Sequence, residues 1–187
     1  MKIKTGDIII LWKNDWAAKL TAFIITSVFG VLDPPTHVEI AVDDKTDISA
    51  EKWKVKMVDR EEALKEADKF MVIRHKKMDP NRRQALIKVL PDYIGKKYDV
   101  FLYVLWLLRL AFVLNPIIFW VLYPFRAWLK KKENRSYACS ELTSAILNDI
   151  GIKTGIQNHR NASPHHFKML AEACSDWKIM KLEVLVQ

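Results

Sequence analysis

Tyr137-Ala138-Cys139-Ser140-Glu141-Leu142-Thr143-Ser144-Ala145-Ile146-Leu147 places a cysteine where a loop enters a helix. Leu142, Ala145 and Ile146 recur at helical spacing and give the segment an apolar face, with Ser136 as the expected cap ahead of it. Amides at a helix N-terminus have no intrahelical acceptor and carry partial positive charge, which favours a thiolate over a thiol. A cysteine kept only for packing belongs in the middle of the apolar face instead, although free cysteines are among the most buried residues. The segment alone does not separate these roles, and the rest of the chain has to.

The composition bounds the setting. At 187 residues the chain suits a single domain, 1–187, with a sizeable core. Lys plus Arg number 30 against 22 Asp plus Glu, and the formal charge of +8 suits nucleic acid, anionic lipid or solubility alone. No Arg-rich arm, zinc-finger spacing or aromatic RNA-binding motif accompanies the charge, so nucleic acid is not an expected partner. Two cysteines, Cys139 and Cys174, make no disulfide framework. Met1 to Asp7 leads directly into an apolar run without room for a signal peptide, so a cytoplasmic location is expected.

Ile8 to Trp12 reads as a buried strand and Trp16 to Leu32 as a helix apolar on most faces, stopped by Asp33-Pro34-Pro35. Thr36 to Val42, Ile48 to Glu51 and Trp53 to Met57 read as strands, with a hairpin turn at Asp43 to Thr46. Arg60 to Lys69 suits a charged helix and Phe70 to Arg74 another strand. Asp79-Pro80 opens a helix with Asp as N-cap and Pro at its first position. Gly95 to Asp99 is a turn or short strand, and the Cys139 helix ends near Asp149 with Gly151 as its stop. Ser163-Pro164 caps a helix over His165 to Ala173, and Trp177 to Val186 closes the chain as a strand. Strands and helices are segregated, which gives an α+β fold with an antiparallel sheet packed on helices.

A thiolate nucleophile needs a base, and the base needs a third group to orient it. His37 opens a strand just after a Pro-Pro turn and is the best base. Glu39, two residues on, shares its strand face. Glu51, 14 positions later on the next strand, comes beside His37 if the two strands pair antiparallel. A cross-strand carboxylate meets an imidazole edge-on more readily, so Glu51 is preferred and Glu39 is expected on a solvated strand face. His165 and His166 with Cys174 lack zinc-finger spacing, and no metal or other cofactor is expected. Cys174 reads as an inert core thiol.

Six segments in this order resemble a known family: Gly6-Asp7-Ile8-Ile9, Thr36-His37-Val38-Glu39-Ile40, Ser49-Ala50-Glu51, Gly95-Lys96-Lys97-Tyr98-Asp99, Tyr137-Ala138-Cys139-Ser140-Glu141-Leu142 and Ser163-Pro164. The chain resembles the YiiX-like branch of the NlpC-type, papain-like cysteine amidases, in which a circular permutation puts the histidine strand before the cysteine helix. The resemblance spans residues 5 to about 180. It implies a thiol hydrolase acting on an amide or ester through an acyl-enzyme, with Cys139 as nucleophile, His37 as base and Glu51 as third residue. Tyr98 matches a tyrosine near the site that helps hold the oxyanion, and Glu39 stands where the family commonly has a small residue. An acyltransferase would share the first half-reaction, and a membrane-binding protein without catalysis is the rival from another class.

Between Asp99 and Cys139 the sequence departs from that pattern with an apolar insertion, about 101–130. Phe101 to Leu114 is apolar except for Arg109, Asn115-Pro116 breaks the run, and Ile117 to Phe125 resumes it. A spanning helix needs roughly 20 residues with few charges, and Arg109 would be costly at a bilayer centre. A helical hairpin dipping into one leaflet fits better, with Trp106, Trp120 and Trp128 at the interface and Arg109 and Lys130-Lys131-Lys132 reaching phosphates; a buried helical pair over the core or a dimer contact is the alternative. Membrane-surface contact, and a peptide, small-molecule or lipid-derived acyl substrate, are the expected partners.

Overall fold

Ile8–Lys13 forms β1, the strand its apolar run predicts, and every residue of it is buried. The computed structural model describes residues 2–51, 53–99, 136–155 and 162–185. After β1 come α1 (Trp16–Phe29), β2 (His37–Ala41), β3 (Thr46–Glu51), β4 (Lys54–Asp59), α2 (Arg60–Lys65), β5 (Ala67–His75) and α3 (Pro80–Val89). A single 3-10 turn at Leu90–Asp92 leads to β6 (Lys97–Tyr98). Then follow β7 (Ser136–Tyr137), α4 (Cys139–Asp149), α5 (Pro164–Ala173) and β8 (Trp177–Val184). The insertion expected at about 101–130 lies outside the described residues. No described helix is long and apolar enough to cross a membrane.

The strands make one eight-stranded sheet in the order β7-β6-β4-β3-β2-β1-β5-β8. Every neighbouring pair is antiparallel except β6 and β7, which run parallel. The class is therefore α+β, as the segregation of elements implies. Alternation gives the sheet two different faces. Ile8, Ile10, Val38, Ile40, Ile48 and Ile73 pack against Leu142 and Ile146 of α4, Phe167 of α5 and Leu86 of α3. Ile9, Leu11, Ala41, Phe70 and Val72 form a smaller cluster with Ala63 of α2 on the other. α4 lies against β2 and β3 and is buried from Cys139 to Leu147, so its first residue sits against the sheet.

Three boundaries differ from the sequence expectation. The helix expected from Arg60 to Lys69 stops at Lys65, because β5 gains ladder partners on both sides, β1 and β8, by starting at Ala67. α1 ends at Phe29, where Gly30 adopts φ 66° and returns its N–H to Thr26 O at 2.8 Å. Ser136 belongs to β7 and does not cap the cysteine helix; the N-cap is Ala138, which offers no side-chain hydrogen bond.

Arg60 ties α2 to the β2–β3 turn. It donates to the buried Asp47 carboxylate and to the carbonyls of Asp43 and Asp44, each at 2.8 Å. Gly6 fixes the entry to β1: its φ is 83°, its N–H reaches Ala41 O at 2.7 Å, and a Cβ there would stand 2.6 Å from the Met78 side chain. Both conformation and space demand glycine. Gly6→Ala is expected to lower the unfolding free energy by about 1–3 kcal/mol in denaturant titration; an unchanged midpoint would contradict this.

Candidate functional site

Strand alternation assembles a polar cluster at one end of the sheet. Ile9 pairs with Glu39 and Leu11 with His37, and Lys13 continues that face two residues on. The Ile40–Ile48 pairing puts Ser49 and Glu51 of β3 on the same face. Lys13, His37, Glu39 and Ser49 are buried, and Glu51 is half-buried.

His37 Nε2 lies 2.8 Å from Ser49 Oγ and 3.2 Å from Glu39 Oε1. The Cys139 side chain is also close enough to the ring to act on its charge. Burial opposes a charged ring, but the charge of the Cys139 thiolate and the close contacts with Cys139 and Glu39 outweigh it and push His37 up to about 10. The imidazolium is thus favoured by what surrounds it.

Lys13 underlies the carboxyl groups. Its Nζ is 3.0 Å from Glu51 Oε2, 3.4 Å from Glu66 Oε2 and 3.8 Å from Glu39 Oε1. Burial disfavours the ammonium, yet Glu39, Glu51 and Glu66 together raise its pKa. Glu51 takes a second ammonium, Lys56 Nζ, at 3.1 Å. Burial pushes the Glu51 carboxyl up, while Lys13, His37 and the hydrogen bonds from Lys13 and Lys56 prevail and hold it at about 2.

Glu39 is therefore not on a solvated face. Its side chain is fully buried, and of the two acids it is the one in contact with the imidazole. Two residues on one strand share a face, and the Glu side chain is long enough to turn back to the ring. Glu51 arrives beside the same group, as cross-strand pairing implies, and one oxygen of each acid and a His37 nitrogen lie within 4.8 Å of one another. Its oxygens, however, are occupied by Lys13 and Lys56. Neither Glu39 oxygen has a well-aligned hydrogen bond.

Cys139 is the first residue of α4, in the helix-start position its sequence implies. Without a side-chain cap, the first amides of the helix keep their electrostatic influence on the sulfur. Glu141 accepts from Ala138 N at 3.0 Å, and burial raises its carboxyl to about 7 despite that bond. A fully charged Glu141 would weaken the field the helix start offers a thiolate. Ser140 Oγ donates to Ala162 O at 2.8 Å, tying the helix start to the segment before α5. Tyr98 stands opposite Tyr137 in the parallel β6–β7 register, two residues from Cys139, with its N–H on Trp53 O at 2.8 Å.

Lys13, Ser49 and Glu141 were not singled out from sequence. Lys13 carried a signal: it is a lone charge ending an apolar strand, in phase with Ile9 and Leu11. The other histidines have separate surroundings. His75 packs edge-on against Trp177 at 4.7 Å and accepts from Lys77 N, and His166 Nδ1 bonds the cap residue Ser163 at 2.7 Å. Cys174 follows α5 and packs against the core, and His159 lies outside the described residues.

His37, Glu39 and Glu51 offer one nitrogen and two carboxyl groups, a donor set suited to a divalent cation. The Lys13 ammonium already stands against both carboxyl groups, and His37 Nε2 is committed to Ser49. A dication beside a buried ammonium would be repelled, so these residues would take a metal only with the Lys13 ammonium displaced or neutralised.

No family model matches the sequence, and no curated protein matches it. Among solved structures, the fold is similar to that of the metalloprotein yiiX from Escherichia coli O157:H7, DUF1105, with a TM-score of 0.59 and 16% identity. The similarity covers 99% of this chain and 100% of that one. The fold is YiiX-like.

Two outcomes follow from the charges. Glu51 is held below its ordinary 4.5, so its contribution to stability is complete above that value and is lost as pH falls toward about 2. The difference in unfolding free energy between wild type and Glu51→Gln should shrink over that window, and a difference independent of pH would contradict it. Lys13→Met, which removes the ammonium shared by Glu39 and Glu51, should cost about 3 kcal/mol near neutral pH; a variant as stable as wild type would show that the ammonium is dispensable.

Proposed function

We propose that the protein is a thiol hydrolase acting on an amide or ester bond, on a circularly permuted papain-like scaffold. The observation that carries this reading is the placement of Cys139, first in a helix without a side-chain cap, next to the buried His37 ring, whose pKa its surroundings raise. The order of elements, histidine strand before cysteine helix, supports the permuted scaffold.

In this reading the Cys139 thiolate attacks the carbonyl carbon, forming a C–S bond, and the oxyanion is met by backbone amides at the start of α4. Tyr98, on the strand beside β7, is placed to assist. His37 gives its proton to the leaving nitrogen or oxygen as the C–N or C–O bond breaks. It then takes a proton from water, which attacks the thioester and releases the acid and the thiolate. Glu39 orients the imidazole, and Glu51 with Lys13 fixes the charge around it. Transfer of the acyl group to an acceptor other than water would need the same residues.

A second reading, cation binding by His37, Glu39 and Glu51, is favoured by the mutual closeness of their donor atoms and by the description of the structural neighbour as a metalloprotein. Lys13 counts against it.

Iodoacetamide labelling at neutral pH, followed by intact mass, tests the reading. Cys139 should label far faster than Cys174, and His37→Ala should slow it by about a hundredfold or more. Glu39→Gln should slow it more than Glu51→Gln, and a chelator should change nothing. Equal, slow labelling of both cysteines would sink the hydrolase. Stoichiometric metal that survives dialysis, with loss on His37→Ala, would establish the second reading instead.

A further inference from the structure

Leu32, Trp16 and Trp53 are the most exposed large apolar side chains among the described residues, at 87, 77 and 72%. All three belong to connections at one end of the sheet. Trp16 starts α1, three residues beyond Lys13. Leu32 adjoins Asp33, whose carbonyl accepts Trp12 Nε1 at 3.0 Å and whose carboxylate holds Lys69 at 2.8 Å. Trp53 sits in the two-residue turn between Glu51 and Lys54, which pair across β3 and β4. His37, Glu51 and Cys139 are at the same end.

Trp53 is the telling member. Its φ is 81°, in the left-handed region where a bulky residue is strained, and such turns ordinarily use Asn or Gly. Its carbonyl is fixed by Tyr98 N–H at 2.8 Å, so the turn is held in place. Strain of this kind persists where function requires it. Glycine would fit the turn better and would present no indole to solvent.

The charge around these side chains is basic. Lys54 and Lys97 are exposed and paired across β4 and β6, and Lys19 is exposed in the first turn of α1. Of the nearby acids, Asp15 caps α1 through Ala18 N, Asp33 is paired with Lys69, Glu66 lies against Lys13 and Asp68 accepts from Asn14, so each is engaged and the three lysines remain as the exposed charges. Exposed tryptophan beside lysine suits the boundary between headgroups and acyl chains, where the ring is half apolar and phosphates are close. A protein partner would ask for a packed apolar patch with a polar rim; separate connections ending in Trp, Leu and Lys favour a soft, anionic surface.

We propose that this end of the molecule docks on a bilayer containing anionic phospholipid, with Trp16, Leu32 and Trp53 entering the headgroup boundary and Lys19, Lys54 and Lys97 meeting phosphates. Docking brings the Cys139–His37 pair to the bilayer surface. That the bond cleaved belongs to a molecule resident in that bilayer rests on the thiol-hydrolase reading; the docking surface itself does not.

The test is co-sedimentation of the full chain with phosphatidylcholine vesicles, with and without phosphatidylglycerol, alongside iodoacetamide labelling. Wild type should bind the anionic vesicles, more weakly without phosphatidylglycerol and at high salt. Trp16→Ala and Trp53→Ala should each weaken binding about tenfold, since each removes one largely buried ring, while Cys139 labels as before. Trp53→Gly should also bind more weakly although its melting temperature rises, which separates docking from folding. No binding by wild type would overturn the proposal. So would tryptophan variants that bind as tightly as wild type, which would assign binding to the 101–125 stretch, or variants that change only the oligomeric state, which would make this face a protein contact. Slow labelling with intact vesicle binding would sink the hydrolase and leave the docking surface standing.

Discussion

The ammonium of Lys13 is the constraint on which the functional end of this structure depends. Two glutamates and a histidine brought within 4.8 Å cannot be buried without a compensating charge, because desolvation would neutralise or expel them. Lys13 supplies that charge from the last residue of a fully buried strand, so its position is set by the core and not by side-chain mobility. The Cys139 side chain then adds to what holds the His37 charge. The arrangement resembles a designed site in one respect: rigid strands and a helix start, not loops, carry His37, Glu39, Glu51 and Cys139.

Local rules are broken mostly at this end. Ala138 is a poor N-cap, Glu39 and Glu141 are buried acids with unsatisfied oxygens, and Trp53 occupies a conformation meant for glycine. Elsewhere the sequence obeys them: Asp59 and Asp79 cap their helices, Gly30 ends α1, and Gly6 meets a close contact. Local inconsistency concentrated in one place is what a functional site leaves behind.

Much of this was legible in the chain. Apolar periodicity located the strands and helices, and a cysteine between a loop and an apolar helix face marked the start of α4. Alternation placed His37 and Glu39 on one face, and antiparallel pairing brought Glu51 beside them. What sequence could not supply was the ranking of the two acids. That depends on which carboxyl group the ammonium groups of Lys13 and Lys56 occupy, and both contacts cross between strands. The end of α2 was misjudged for a similar reason, since β5 gains its partners from β1 and from β8 at the far end of the chain. Ser136 looked like a cap because nothing local showed that it pairs with Lys97.

The measurement that bears most directly on the central claim is an NMR titration of the His37 ring in wild type and in Cys139→Ser. If the Cys139 side chain helps hold the imidazolium, His37 remains protonated well above its ordinary 6.5 in wild type, toward about 10, and its pKa drops once the thiol is gone. A ring that titrates near 6.5 in both proteins would contradict the account, leaving Cys139 and His37 as neighbours without a shared charge.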